Sequence, residues 1–340
     1  MLELEGSVME YKQRLAGLNG RSVMITGGLG LIGSSLAKRL INLGCDVLLV
    51  DSLNENFGGN LFNIEQVRDR VRVNISDIRD KHGLRFLIRN KEYIFNLAGQ
   101  TSHADSMSAP FEDLEINCQA QLSLVEACRE FNPGARIIFA STRQIYGRPR
   151  SLPVDESHPL VPVDVNGINK IAGENYHLLY HSVYGLQTTV LRLTNTYGPG
   201  MRIKDPRQIF MGIWVRRLLE GQAFEVWGGR QRRDFTFVDD AADAFLAAAV
   251  TPETIGKALN IGGSETLSIE ALAEVLIRVN GDGTFERREF PAERRRIDIG
   301  DYWTDDSLFR RLTGWQPQVS VEKGVGRTID FYRAHLKHYL

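Results

Sequence analysis

Two hydrophobic rhythms alternate along most of this chain. Compact apolar runs of strand length occur at residues 23–26, 47–50, 71–75, 93–97, 136–140 and 188–193. Between them lie segments whose apolar positions recur every three or four residues, notably 111–131 and 167–184. A continuous apolar run suits a strand buried on both faces, and the longer spacing suits an amphipathic helix. Strand and helix in turn predict an α/β, doubly wound parallel sheet. After residue 195 the rhythm breaks. Residues 202–208 read as a polar loop over a site, 210–219 as a helix, and 235–250 as a strand running into an alanine-rich helix. Residues 259–261 read as a strand, 269–279 as a helix and 286–301 as an arginine-rich connection. The expected layout is a cofactor-binding unit over 21–195 and 236–262, with a smaller discontinuous α/β substrate lobe over 196–235 and 263–335. Residues 1–20 form an extension in which 8–18 has the spacing of a short amphipathic helix.

The first strand run leads into Gly27, Gly30 and Gly33 and then into a helical pattern, 34–43. Strand, glycine turn, helix is the context in which such a motif cradles a dinucleotide. One glycine permits the turn, one admits the pyrophosphate, and one lets helix and strand approach. The unpaired N–H groups opening the helix then face phosphate. Asp51 closes the second strand run, where the fingerprint places an acid on the adenosine ribose. A carboxylate there accepts from the ribose hydroxyls and repels a 2′-phosphate, which favours NAD over NADP. The expected cofactor contacts around this Rossmann turn include Leu31, Ile32 and Ser52.

Composition narrows the picture. The chain has 340 residues, 43% of them hydrophobic, which is ample for a sizeable core. A net charge of −1 gives no general attraction to nucleic acid or to an anionic membrane. Cys45, Cys118 and Cys128 lack metal-ligand spacing and suit a reducing compartment, so a cytoplasmic protein without a metal site is expected. No apolar stretch reaches membrane-spanning length.

Several blocks, in order, resemble the extended short-chain dehydrogenase/reductase family, in particular its nucleotide-sugar epimerases and dehydratases. They are TGGLGLIG (26–33), Asp51, Asp77 and Ile78, NLAG (96–99), Asn117, STRQIYG (141–147), NGINK (166–170), LRLTNTYGP (191–199), RDF (233–235) and LNIGG (259–263). The resemblance implies an NAD cofactor and a nucleoside-diphosphate sugar as partner. It places Asp77 and Ile78 at the adenine edge, and Leu97, Ala98, Gly99 and Asn117 along the cofactor channel. Thr142 falls on the residue that meets the reacting sugar hydroxyl, and Lys170 on the lysine that holds the nicotinamide ribose. Asn195, Arg233 and Arg295 fall on positions that hold the substrate diphosphate. It also implies a homodimer formed through the helices 111–131 and 167–184.

One departure matters. The family's catalytic tyrosine stands four residues before the lysine, and here that position is Asn166. An amide has no proton to lose near neutral pH, so it can hydrogen-bond a hydroxyl without deprotonating it. The acid pair that follows the threonine in 4,6-dehydratases is replaced by Arg143 and Gln144, so a 4,6-dehydratase is not expected. Gln144 likewise argues against a decarboxylase. Tyr146, His103 and Lys170 are the alternative proton carriers. The leading expectation is an epimerase or related oxidoreductase with altered proton transfer; the alternative is a protein that binds NAD and a nucleotide-sugar without turnover.

Overall fold

The computed structural model describes residues 13–205 and 209–340. Seven strands form one parallel sheet: β1 (Ser22–Thr26), β2 (Asp46–Asp51), β3 (Arg72–Ile75), β4 (Tyr93–Asn96), β5 (Arg136–Thr142), β6 (Gln187–Leu193) and β10 (Ala258–Ile261). Their spatial order is β10-β6-β5-β4-β1-β2-β3. The chain therefore winds outward in one direction from β1 and then in the other from β4. Each apolar run expected to be a strand contains one, with Val23, Ile25, Val47, Leu49, Phe95, Ile138 and Leu191 in one core and Met24, Leu48, Val50, Ile94 and Ile137 in another on the opposite face.

The switch in winding falls between β1 and β4, where ligands of open α/β sheets bind. Thr26 ties the two strands together there. It pairs in register with Asn96, donates its hydroxyl to Asn96 Oδ1 at 2.9 Å, and accepts from the backbone N–H groups of Leu97 and Ala98.

A second apolar core is built from later residues. The helices Phe210–Leu219, Ile269–Asn280 and Val321–His335 pack on β9 (Arg232–Phe237) and on β8 (Phe224–Trp227). β9 lies between β7 (Asn195–Tyr197) and β11 (Thr266–Ser268), and β8 pairs with β12 (Phe285–Arg288). Phe237 and Val238 belong to this second core, whereas Ala242 to Ala249 of the same continuous segment pack beneath the main sheet. The arginine-rich connection holds β12 and the short helix Ala292–Ile297 rather than being loop throughout. The helix expected over 8–18 falls largely outside the described residues, within which Leu18 is buried in the first core.

Candidate active site

The carboxyl ends of the central strands open into one cleft. Gly27, Gly30, Leu31, Ile32, Gly33, Asp51, Ser52, Asp77, Ile78, Leu97, Ala98, Gly99 and Lys170 all line it. So do Thr142, Asn166 and Asn195. Thirteen of the fourteen cofactor positions named from sequence are thus brought together. Asn117 stands behind the wall. It is fully buried, and its Nδ2 donates to Gln100 O at 2.9 Å and to Asp113 Oδ2 at 3.0 Å.

At the first end of the cleft the backbone does the shaping. Gly27 has φ +67°, and a Cβ there would come within 2.9 Å of the Leu97 and Ala98 backbone. A Cβ on Gly33 would stand 2.2 Å from Gly27 O, so only glycine lets the helix Leu31–Asn42 start this close to the turn. That helix has Gly30 as its N-cap, with no side-chain cap and no acid in its first turn. Its first N–H groups therefore remain available to phosphate. Asp51 is fixed by Leu29 N–H to Oδ2 at 2.9 Å and Leu53 N–H to Oδ1 at 2.8 Å. Burial raises its pKa, and the two backbone donors only partly offset this. Asp77 is clasped by Arg79, whose Nη2 lies 2.7 Å from Oδ2. Further along, Gly99 leaves room for Asn117 Oδ1 and Lys170 Nζ, each 3.0 Å from where a Cβ would be. Asn117 Oδ1 and Ser141 Oγ are buried without hydrogen-bond partners among the described residues. A turn with no side-chain bulk, an uncapped helix, a carboxylate at the tip of β2 and unmatched polar atoms together fit a dinucleotide.

The other end is built from side chains. Thr142 ends β5, and its Oγ1 accepts from Gln144 N–H at 3.2 Å, leaving the hydroxyl proton for a ligand. Lys170 sits on the helix Val165–Tyr184, donating to Ala140 O at 3.0 Å above the Phe139 ring. Burial lowers its pKa to about 8, against the opposing pull of Asp113 and Glu174.

Asn166, four residues before Lys170, is almost entirely buried. Its Nδ2 donates to Gln100 O at 2.9 Å and to Asp113 Oδ2 at 3.1 Å. Asn169 donates to the other oxygen of Asp113 at 2.8 Å. Three amides, from Asn117, Asn166 and Asn169, thus surround one buried carboxylate.

His103 lines the same cleft, with Nδ1 3.1 Å from Asp164 Oδ2. The approach lies off the line of a hydrogen bond but at ion-pair distance. Asp164 is the N-cap of the Val165–Tyr184 helix. It accepts from Gly167 N–H at 2.7 Å and from Gln144 Nε2 at 2.7 Å. Burial pushes the Asp164 pKa up, but His103 and these donors outweigh it and hold the group below the usual carboxylate range.

Besides Asn117, three residues named from sequence do not line the cleft. Tyr146 is buried elsewhere, with its hydroxyl between Asn260 Oδ1 at 2.7 Å and Arg192 Nη1 at 2.8 Å, and burial pushes its pKa up to about 12. Arg233 is tied to Gly300 O and to Asp298 Oδ1. Arg295 is exposed and donates to Phe290 O at 3.3 Å. Asn195 does line the cleft, but its Oδ1 accepts from Arg143 and its Nδ2 donates to Asp234 O. Sequence inspection gave no role to Asp113, Asp164 or Arg143. Asp164 carries a local signal, as an acid at a helix start, but its partner His103 is 61 residues away in the chain. Among the described residues no cluster of three metal-ligating side chains occurs, and no helix is long and apolar enough to cross a membrane.

Fold and cleft together define a dinucleotide-binding protein whose cleft runs from the glycine turn to β5 and the Val165–Tyr184 helix. Comparison with known proteins narrows the class. Residues 23–262 match the NAD dependent epimerase/dehydratase family, and the chain belongs to it. A putative UDP-glucose 4-epimerase of Methanocaldococcus jannaschii is 31% identical over 318 residues, spanning 92% of this chain and 98% of the relative. The UDP-glucose 4-epimerase of Mycolicibacterium smegmatis is 32% identical, with 91% and 98% covered. The UDP-glucose 4-epimerase of Thermotoga maritima, solved with UDP-glucose, superposes with a TM-score of 0.84 at 28% identity, covering 93% of this chain and 99% of that one.

Proposed function

We propose that the protein is an epimerase of a nucleoside-diphosphate sugar in which His103, oriented by Asp164, takes over the proton transfer that a tyrosine performs in the family pattern. The observation that carries this reading is the His103–Asp164 contact in the cleft that also holds Thr142 and Lys170. NAD, bound along Gly27 to Gly33 and Asp51, supplies a hydride acceptor at the sugar carbon. The chain's own residues handle the rest. Thr142 Oγ1 holds the sugar hydroxyl, and His103 Nε2, which makes no hydrogen bond among the described residues, receives its proton. Asp164 steadies the resulting imidazolium, and the Lys170 ammonium holds the ribose next to the reacting carbon. Of the other two candidates, Tyr146 lies outside the cleft, and Lys170 is committed to Ala140 O. Asn166 serves as a buried strut for Asp113 and Gln100 rather than as a base.

The division into a cofactor unit (21–195 with 236–262) and a substrate lobe (196–235 with 263–335) belongs to the same proposal, as do a cytoplasmic setting and a homodimer. The dimer is supported by exposed apolar side chains on the two helices named from sequence. Ile168, Leu179 and Val183 share one face of Val165–Tyr184, and Phe111 and Leu114 stand out from Pro110–Leu114. Leu122, Val125 and Cys128, whose helical spacing fits burial, pack into or against the chain's own core.

Incubation with UDP-, dTDP-, GDP- and CDP-sugars tests the function. An epimer is expected, and His103→Gln is expected to form it about 10²–10⁴-fold more slowly while still binding NAD. Binding of a sugar nucleotide with no epimer, ketone or reduced-nicotinamide band would instead identify a non-catalytic binding protein.

A further inference from the structure

We propose that Arg143 binds a carboxylate on the substrate's sugar ring, so that the protein's substrate class is a nucleoside-diphosphate uronate rather than a neutral hexose. This rests on the nucleotide-sugar reading above and specifies the sugar within it. Arg143 directly follows Thr142 at the end of β5 and lines the cleft with it. Its guanidinium lies over the Tyr302 ring, 5.2 Å from the ring centre. Nη2 donates to Asn195 Oδ1 at 2.9 Å, while Nη1 is shut off from solvent and has no hydrogen-bond partner among the described residues.

The neighbouring carboxylates are already engaged elsewhere. Asp234 accepts from the Thr194 hydroxyl at 2.5 Å and from Thr304 N–H at 3.1 Å. Asp298 holds Arg233 and Gly300 N–H, and Asp164 holds Gln144, Gly167 and His103. Each acts on Arg143 only through longer-range attraction. Arg233 is buried close enough for the two guanidinium charges to disfavour each other. A desolvated cation with an unmatched donor is costly, and in a native site such a donor calls for an acceptor that arrives with the ligand. Thr142 meets the reacting hydroxyl in the proposed function, so the side chain next to it meets a substituent of the same ring. A planar carboxylate suits the guanidinium fork.

Isothermal titration of the NAD-loaded protein with UDP, UDP-glucose and UDP-glucuronate tests this. The wild type is expected to bind the uronate more tightly than the hexose, a comparison that needs no variant. R143Q is expected to weaken uronate binding about 10- to 100-fold, and hexose binding by roughly threefold or less, as for loss of a charge-assisted hydrogen bond. R143K, which keeps the charge but loses the fork, is expected to fall between the wild type and R143Q for the uronate. Equal losses for all three ligands would assign Arg143 to the diphosphate and overturn the inference alone. Unchanged uronate binding in R143Q would overturn it as well. A wild type that binds none of the three, nor any of the dTDP-, GDP- and CDP-sugars, would remove the nucleotide-sugar reading and this inference with it.

Discussion

The two ends of the cleft are made by different means. At the adenosine end the determinants are backbone: a left-handed Gly27, a Gly33 without room for a methyl group, and an uncapped helix start beside Asp51. At the sugar end they are side chains held by partners far along the chain. Asn166 reaches Asp113 and Gln100, His103 reaches Asp164, and Arg143 reaches Asn195. Backbone geometry tolerates few substitutions, because any Cβ collides. A side-chain network can be rewired with less disturbance to the fold. The first end fixes what cofactor is held; the second decides what is done with it.

The sharpest way to break that contrast is at the sugar end. His103→Gln is expected to lower the rate about 10²–10⁴-fold, the usual worth of a positioned proton carrier, with NAD affinity nearly unchanged in a fluorescence titration. Asp164→Asn removes the charge beside His103 while an asparagine can still cap the Val165–Tyr184 helix, and is expected to lower the rate less. At the adenosine end, Gly33→Ala places a methyl group 2.2 Å from Gly27 O. It is expected to cost about 1–3 kcal/mol of stability, read by chemical denaturation, together with NAD binding. Asp51→Asn keeps the shape and removes the charge. It is expected to weaken NAD about tenfold and to narrow its advantage over NADP, as for loss of a charged hydrogen-bond acceptor.

The smallest effect concerns pH. Burial brings the Lys170 pKa down to about 8 from 10.5, so between those values the unfolded chain holds more protons than the folded one. The Lys170 contribution to stability therefore rises with pH across that window. Lys170→Met should remove this slope from a denaturation series run from pH 8 to 10.5.

The same division explains what could be read from the chain alone. The sheet, the glycine turn and Asp51 were legible because each depends on a local pattern: an apolar run, a glycine spacing, an acid ending a strand. The altered base position was visible as well, since Asn166 stands at a fixed distance from Lys170. The choice among Tyr146, His103 and Lys170 in its stead was not, because His103 and Asp164 meet only through the packing of the chain after β4 on the start of the Val165–Tyr184 helix. Tyr146 illustrates the converse. A tyrosine in a familiar motif proves to satisfy a buried Arg192–Glu174 pair and Asn260, a role with no local signature. Arg233 likewise looks like a phosphate ligand from its spacing, and the fold gives it Gly300 and Asp298 as partners.

The most direct test of relocated proton transfer is a rapid-mixing measurement of reduced-nicotinamide absorbance, with NAD-loaded wild type and His103→Gln each meeting the sugar nucleotide that the wild type epimerises. The account predicts a transient band in the wild type and a rise about 10²–10⁴-fold slower in the variant. Equal rates in the two proteins would show that the proton leaves by another residue and would contradict the role given to His103.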